Sequence, residues 1–464
     1  MRLFRKLLSA VLLASVFLLP SSFLLADSLK VETDYRMRGI SYPNLDYENT
    51  TATDSLHYYD QRLQVSIGGN FAPGVEIGSK ISAIGIVGAT TNYFNAPYPR
   101  TDFTPYIENA YVKVLNIADS KLDLTVGKMP MEYGGGLIIS DNGMGLNGMK
   151  LNGNYDLPIP VIKFFRWPMF SVKYVPFQGE VFTAKVSEYV HPDGDNDIFG
   201  GTAKFKLKNN SLFEFGYFEE RDYSGTLYSQ GSLSIPTRSI LKQFYDFKIG
   251  TYEKVAEYSF EIIKQNGQID EANLRKITLN GLAYKASGKL IGENTKLGKV
   301  EAKAFLAINS GDDNTASLDD DDESFSPSLT RRWDGFEQAG YGELFGARPQ
   351  GSFIAIPNPT YSGINTLSIG AAFSPLYAWT FGIDYYLFSA SQGPNGAPTA
   401  SGFERIFGAE YSLGIEMDLS VKYVHSKNVS TRFSFNRYSP PTFEIYWPKK
   451  EPLARYQLSV DSKF

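Results

Sequence analysis

Cysteine is absent from the 464 residues. That excludes a disulfide framework and any thiolate metal centre. Histidine is scarce: His57, His191 and His425 are all there is, too few bases and ligands for hydrolytic or metal chemistry. Ser426 follows His425, but neighbours along a strand point to opposite faces and cannot pair as nucleophile and base. Long apolar runs are missing after residue 26, which excludes membrane-spanning helices. The positive charge excess that nucleic-acid binding calls for is missing too, with 45 Lys+Arg against 50 Asp+Glu. The glycines of "YGGGLIISDNGMGLNG" lack a following Lys-Ser/Thr and a strand-to-helix setting, so nucleotide binding is not expected. No enzyme activity and no cofactor are expected. No Pro/Ser-rich linker divides the chain.

What is present begins with "MRLFRKLLSAVLLASVFLLPSSFLLADS". Arg2, Arg5 and Lys6 precede an apolar run from Leu7 to Leu19, and Pro20, serines and Ala26 follow. This layout predicts a secretory signal peptide over 1–26 and an exported chain. Removing its three cations would take the formal net charge from −5 to −8. Aromatics are abundant, with 33 Phe and 30 Tyr, yet mean hydropathy is slightly negative. Apolar residues must therefore be dispersed.

They are dispersed at period two. In "LKVETDYRM", Leu29, Val31, Thr33, Tyr35 and Met37 oppose Lys30, Glu32, Asp34 and Arg36. Leu63, Val65 and Ile67 alternate with Arg62, Gln64 and Ser66, and Ala203, Phe205 and Leu207 alternate with lysines. "KVEAKAFLAI", "YAWTFGIDYYL" and "MDLSVKY" repeat the pattern. Period two denotes strands with one greasy and one wet face. Several run ten residues or more, which suits a tilted membrane crossing. Short turns such as "FAPG" alternate with long polar loops. The final "LARYQLSVDSKF" sets Tyr456, Leu458 and Val460 at alternate places before a terminal Phe464. Such an ending resembles the signal read by barrel-assembly machinery. The predicted fold is all-β: a transmembrane antiparallel up-and-down β-barrel of about 18 strands over 27–464, in lipid of a Gram-negative-type outer membrane. Hydrocarbon forbids an open sheet edge, so the last strand must pair with the first. "FFRWPMFSVKYVPF" and 334–356 do not segment cleanly.

The longest interruption, 309–346, is expected to be an acidic outward loop. It carries Asp312, Asp313, Asp319, Asp320, Asp321, Asp322 and Glu323. Solvation accounts for such a run; the competing reading is a carboxylate cluster that binds Ca²⁺ or folds inward to gate a pore. By strand parity the lumen would receive Arg36, Arg62, Lys113, Lys173, Lys204, Lys206, Lys248, Lys299, Lys303 and Lys422, with Glu32, Asp34, Glu301, Asp384, Glu410 and Asp418 on the same face. Two readings stay open: cations gathered at a constriction, favouring an anionic solute, or Lys and Asp/Glu paired across strands.

"VGKMPMEYGGGLI…LNGMKL" and "AINSGDDN…SFSPSLTRR" resemble the alginate-export family of outer-membrane porins. The resemblance implies a channel for saccharides and places Lys128 and Lys150 at pore-facing basic positions, with Asp312 in a loop motif. Lysine stands where that family carries arginine, Gly136 where a further basic residue is expected, and the loop's Phe-Pro-x-x-His tail is missing. The expected function is passive diffusion of hydrophilic solutes, including anionic oligosaccharides. The alternative is a plugged barrel serving as adhesin or structural anchor.

Overall fold

A computed structural model of the chain describes residues 29–43, 55–87, 103–140, 145–165, 167–187, 194–207, 210–225, 227–230, 233–273, 275–294, 298–312, 320–326, 333–334, 337–338, 342–345, 348–349, 362–376, 378–392, 411–440 and 452–464. The expected leader lies outside them. Eighteen strands close into one antiparallel barrel. They are β1 (Lys30–Tyr42), β2 (Leu56–Ala72), β3 (Val75–Ile86), β4 (Tyr106–Val114), β5 (Leu122–Met129) and β6 (Leu146–Phe165). Then come β7 (Trp167–Ser187), β8 (Asn196–Lys206), β9 (Ser211–Asp222), β10 (Leu233–Tyr252), β11 (Ala256–Glu271) and β12 (Leu282–Asn294). The last six are β13 (Gly298–Asn309), β14 (Ser362–Leu376), β15 (Trp379–Gln392), β16 (Tyr411–Val424), β17 (Val429–Ser439) and β18 (Leu453–Lys463). Each pairs with its sequence neighbour, and β1 pairs with β18 from Asp34↔Lys463 to Ser41↔Tyr456. Closure gives each strand a partner on both sides through the body of the barrel, the condition lipid imposes.

The two faces follow the sequence period. Val31 and Met37 on β1, Val181 on β7, Phe215 on β9, Phe381 and Ile383 on β15, and Leu458 and Val460 on β18 are exposed. Their polar neighbours point inward, as Arg36, Arg38, Arg455 and Ser459 do, and are buried. An exposed apolar belt around a closed sheet is the surface hydrocarbon covers. On that belt Phe177, Phe205, Phe213 and Phe247 form a ladder of ring contacts 4.9–6.5 Å between centroids, an aromatic girdle at the rim where β8 turns into β9.

That rim carries the short connections. Pro73–Gly74 joins β2 to β3, with Gly74 at φ 74°, and residues 425–428 join β16 to β17. Both β1 and β18 have their outer ends here, and the opposite rim carries the long connections. Short turns mark the periplasmic side of such barrels. One hairpin breaks the even rim. β6 pairs with β5 only as far as Leu122↔Gly153, and β7 with β8 only as far as Phe205↔Phe177. The β6–β7 ladder runs on to Phe165↔Trp167. From Asp156↔Pro176 outward it is a two-stranded ribbon extending roughly 30 Å at ~3.3 Å per residue. The unsegmented "FFRWPMFSVKYVPF" is its tip.

Candidate functional site

The inner face carries a mesh of cross-strand ion pairs. Arg62 meets Asp34 at 3.3 Å, Lys113 meets Asp123 at 3.2 Å and Glu76 at 3.8 Å, and Lys80 meets Glu108 at 2.7 Å. Lys150 lies 3.6 Å from Glu180, and Lys204 3.1 Å from Glu214. Lys303 lies 2.8 Å from Asp384, and Glu301 meets Lys289 of β12 at 3.4 Å and Lys299 of its own strand at 3.6 Å. Arg36 is buried opposite Arg62 and Asp461 in the register. Lys206 ends β8 on the face of Lys204, beside Asn154 and Gln178. Opposite charges at neighbouring register positions neutralise one another locally. Arg62, Lys113, Lys150, Lys204, Lys299 and Lys303 each have a carboxylate within 3.6 Å. Lys128 departs from expectation: it sits opposite Ala110, in the outward register of Val126 and Val112, and its Nζ donates to the Ile107 carbonyl at 2.8 Å. The irregular Gly127, at φ 125°, precedes it. The side chain of Lys173 lies outside the described residues.

Two segments fold into the lumen. The first leaves β5 at Met129 and runs through the glycine-rich stretch to Ser140. Met131, Tyr133, Ile138 and Ile139 bury themselves against Phe182, Phe218, Phe244, Ile263 and Ala283, inward residues of β7, β9, β10, β11 and β12. Tyr133 stacks on Phe182 at 4.7 Å and 3°, and its hydroxyl donates to Glu180. Burial and that carboxylate push the phenol well above its usual range, so it stays a donor. Gly134, Gly135 and Gly136 have φ of 62°, 51° and 81°, a left-handed run that side chains resist. The Gly135 carbonyl accepts from Lys285 Nζ at 2.6 Å, tying the segment to β12.

The second lies within the acidic connection between β13 and β14. The Leu344 and Phe345 amides donate to the two carboxylate oxygens of inward Glu416 at 2.8 and 2.9 Å. Phe345 stacks on Phe388 at 4.0 Å, and Glu343 pairs with Arg455 at 2.5 Å. Asp321 and Asp322 run parallel to Thr278 and Leu279. Phe325 packs on inward Phe244 at 6.1 Å, and the Ser326 amide donates to Gln265 at 2.8 Å. The described parts of this connection therefore turn into the barrel, where an outward loop was expected. Leu344, Phe345 and Phe325 supply the apolar surface that turns it. Asp312 is buried, Asp320 pairs with Arg275 at 2.7 Å, and Asp322 accepts from Ser324. Among the described residues no three His, Asp or Glu side chains assemble to hold a metal. Asp313 and Asp319 lie outside them.

Sequence reasoning missed the lumen's apolar anchors: Phe182, Phe218, Phe244, Phe388 and Tyr438. A signal was available. Each is a large apolar residue at an inward position, where alternation predicts a polar one, and such a break marks a wall that something packs against. His425 lies in the short turn between β16 and β17, with its Nε2 2.8 Å from Thr431 Oγ1.

No family model and no curated protein sequence matches the chain. Solved structures do. OccK9 (OpdG) of Pseudomonas aeruginosa superposes with a TM-score of 0.53 at 10% identity, covering 95% of this chain and 99% of that one. OccAB3 of Acinetobacter baumannii gives 0.50 at 11%, covering 95% and 100%. OccK2 (OpdF) of Pseudomonas aeruginosa gives 0.50 at 11%, covering 94% and 98%. These likenesses speak for the porin-type barrel and not for the alginate-export family in particular. With its closed sheet and lipid-facing belt, the chain is an outer-membrane β-barrel.

Proposed function

We propose that the chain is a passive channel for hydrophilic solutes, narrowed by the two inward segments. The observation that carries this reading is the asymmetry of the barrel: an apolar outer belt against an inner face of ion pairs. A wall of alternating paired charge offers water and polar solutes many weak partners and no strong trap, as conduction requires. Strong preference for anions needs cations free of counter-charges, and the cross-strand carboxylates oppose that. Saccharides fit this lumen best as uncharged or weakly charged oligomers; the polyanionic cargo implied by the alginate-export likeness is the less favoured form. Phe464 serves assembly, as the terminal aromatic of the closing strand.

Purified protein inserted in planar bilayers tests the reading. Stable conductance steps support a channel. A barrel that inserts and stays silent overturns it in favour of the plugged barrel, an adhesin or structural anchor built on its long connections.

A further inference from the structure

Across the periplasmic end of the lumen, one register row reads Lys30, Gly68, Gly78, Tyr111, Gly127 and Gly148 over β1 to β6. Glycine weakens a strand and marks where something approaches the backbone closely. At Gly78 that something is the ring of Tyr111: a Cβ placed there would lie 2.6 Å from the Tyr111 hydroxyl oxygen and 2.8 Å from Cε1. The ring therefore lies down on the wall instead of standing off it. It borders a cavity of about 470 Å³ reaching from Lys30 and Glu32 to Pro130, where the first inward segment begins. The neighbouring inward rows are polar. One row towards the long loops carries Glu32, Ser66, Lys80 and Asn109; one row towards the short turns carries Asn70, Glu76 and Lys113. Inward rows two residues apart are separated by ~7 Å.

We infer that this Tyr111 shelf is a binding subsite for an uncharged hexose unit of an oligosaccharide. A pyranose has a C–H face and a rim of hydroxyls. The negative face of a phenol ring attracts polarised C–H groups. A ring flattened on a glycine floor turns one face to the wall; the rest of it packs beside the apolar cluster of the first inward segment and borders the cavity, where amides, carboxylates and a serine above and below would meet the hydroxyl rim. A few placed polar groups around an apolar platform make a small-molecule site. Formal charge does not favour an anion: on the cavity lining Glu32 and Glu76 balance Lys30 and Lys80, and Lys80 is engaged by Glu108 besides. The assignment names a solute for the channel proposed above and rests on that reading, but binding is measurable without transport.

Maltohexaose is the probe, against polyethylene glycol of equal size, which lacks pyranose faces. Micelle-solubilised protein is titrated calorimetrically, and channel interruptions are timed with either polymer on the short-turn side. Wild type and Tyr111→Phe should bind maltohexaose and show long interruptions. Tyr111→Leu, which keeps apolar bulk without the π face, should shorten the residence more than tenfold and leave polyethylene glycol events unchanged. Equal residence in wild type and Tyr111→Leu overturns the subsite, as does maltohexaose held no longer than polyethylene glycol in a conducting wild-type channel. A silent barrel that binds maltohexaose through Tyr111 overturns the channel and supports the subsite.

Discussion

Thr33 and Phe464 exchange both backbone hydrogen bonds, each amide donating to the other's carbonyl at 2.8 Å. The last residue of the chain is thus the last rung of the ladder that joins β18 to β1. Beside it, Tyr456, Leu458 and Val460 face outward while Arg455, Gln457 and Ser459 face the lumen.

This alternation predicts opposite outcomes at adjacent positions. Leu458→Arg puts a charge into hydrocarbon near the middle of β18, at a cost of about 2–4 kcal/mol. Gln457→Arg puts the same charge on the inner wall, among polar side chains such as Ser434 and Ser459, and should cost less. Urea titration of protein refolded into lipid vesicles checks the pair. Equal losses would contradict the assignment of the faces.

Arg38 and Asp60 form a fully buried ion pair on the inner wall between β1 and β2. Removing one partner strands a buried charge, so Asp60→Ala should destabilise by about 3–5 kcal/mol. The double variant Arg38→Met with Asp60→Leu should recover most of that loss, because the isolated charge disappears with its partner. Denaturant midpoints of the three variants test this, and a double variant as weak as Asp60→Ala would count against it.

Glu416 holds the second inward segment by accepting two backbone amides. Hydrogen bonds to a charged group contribute about 1.5–3 kcal/mol each. Glu416→Ala should therefore release Gly342–Phe345 from the wall and raise single-channel conductance with added current noise. Unchanged conductance would mean that this segment does not narrow the path.

Lys150 and Lys128 separate lumen from outer face electrostatically. Lys150→Glu sets a second carboxylate beside Glu180 and should shift the reversal potential towards cation preference in a salt gradient at low ionic strength, where screening is weak. Lys128→Glu, on the outward register, should leave the reversal potential where it was. A shift of equal size in both variants would place both side chains in the pore.

These positions also show what the sequence made legible. Strand parity read β1, β2, β8, β13, β15 and β18 correctly because one face met lipid and the other water, and a period of two records that contrast. The inward segments left no such record. Met131, Ile138 and Ile139 pack on protein from every side, so neither period two nor period 3.6 appears, and the glycines around them read as a turn. Lys128 was misplaced because the family motif carried it without its register, and Gly127 interrupts the alternation that would have corrected it. The ion pairs lay beyond reach for another reason: which lysine meets which carboxylate depends on strand register, and a turn signal locates a hairpin without fixing it.

The projecting β6–β7 ribbon gives a last test. Its ten register pairs, Asp156↔Pro176 to Phe165↔Trp167, join neither β5 nor β8. A two-stranded ribbon is marginally stable alone, so the closed barrel owes it little. Joining Tyr155 directly to Phe177 through an Asn-Gly turn fits the pairing geometry, since that dipeptide adopts the tight type I′ hairpin. The shortened protein should show the same shift on heating in gel electrophoresis and the same conductance as the full chain. Loss of the folded band would show that assembly needs the ribbon, and a folded barrel with altered conductance would place the ribbon across the periplasmic mouth.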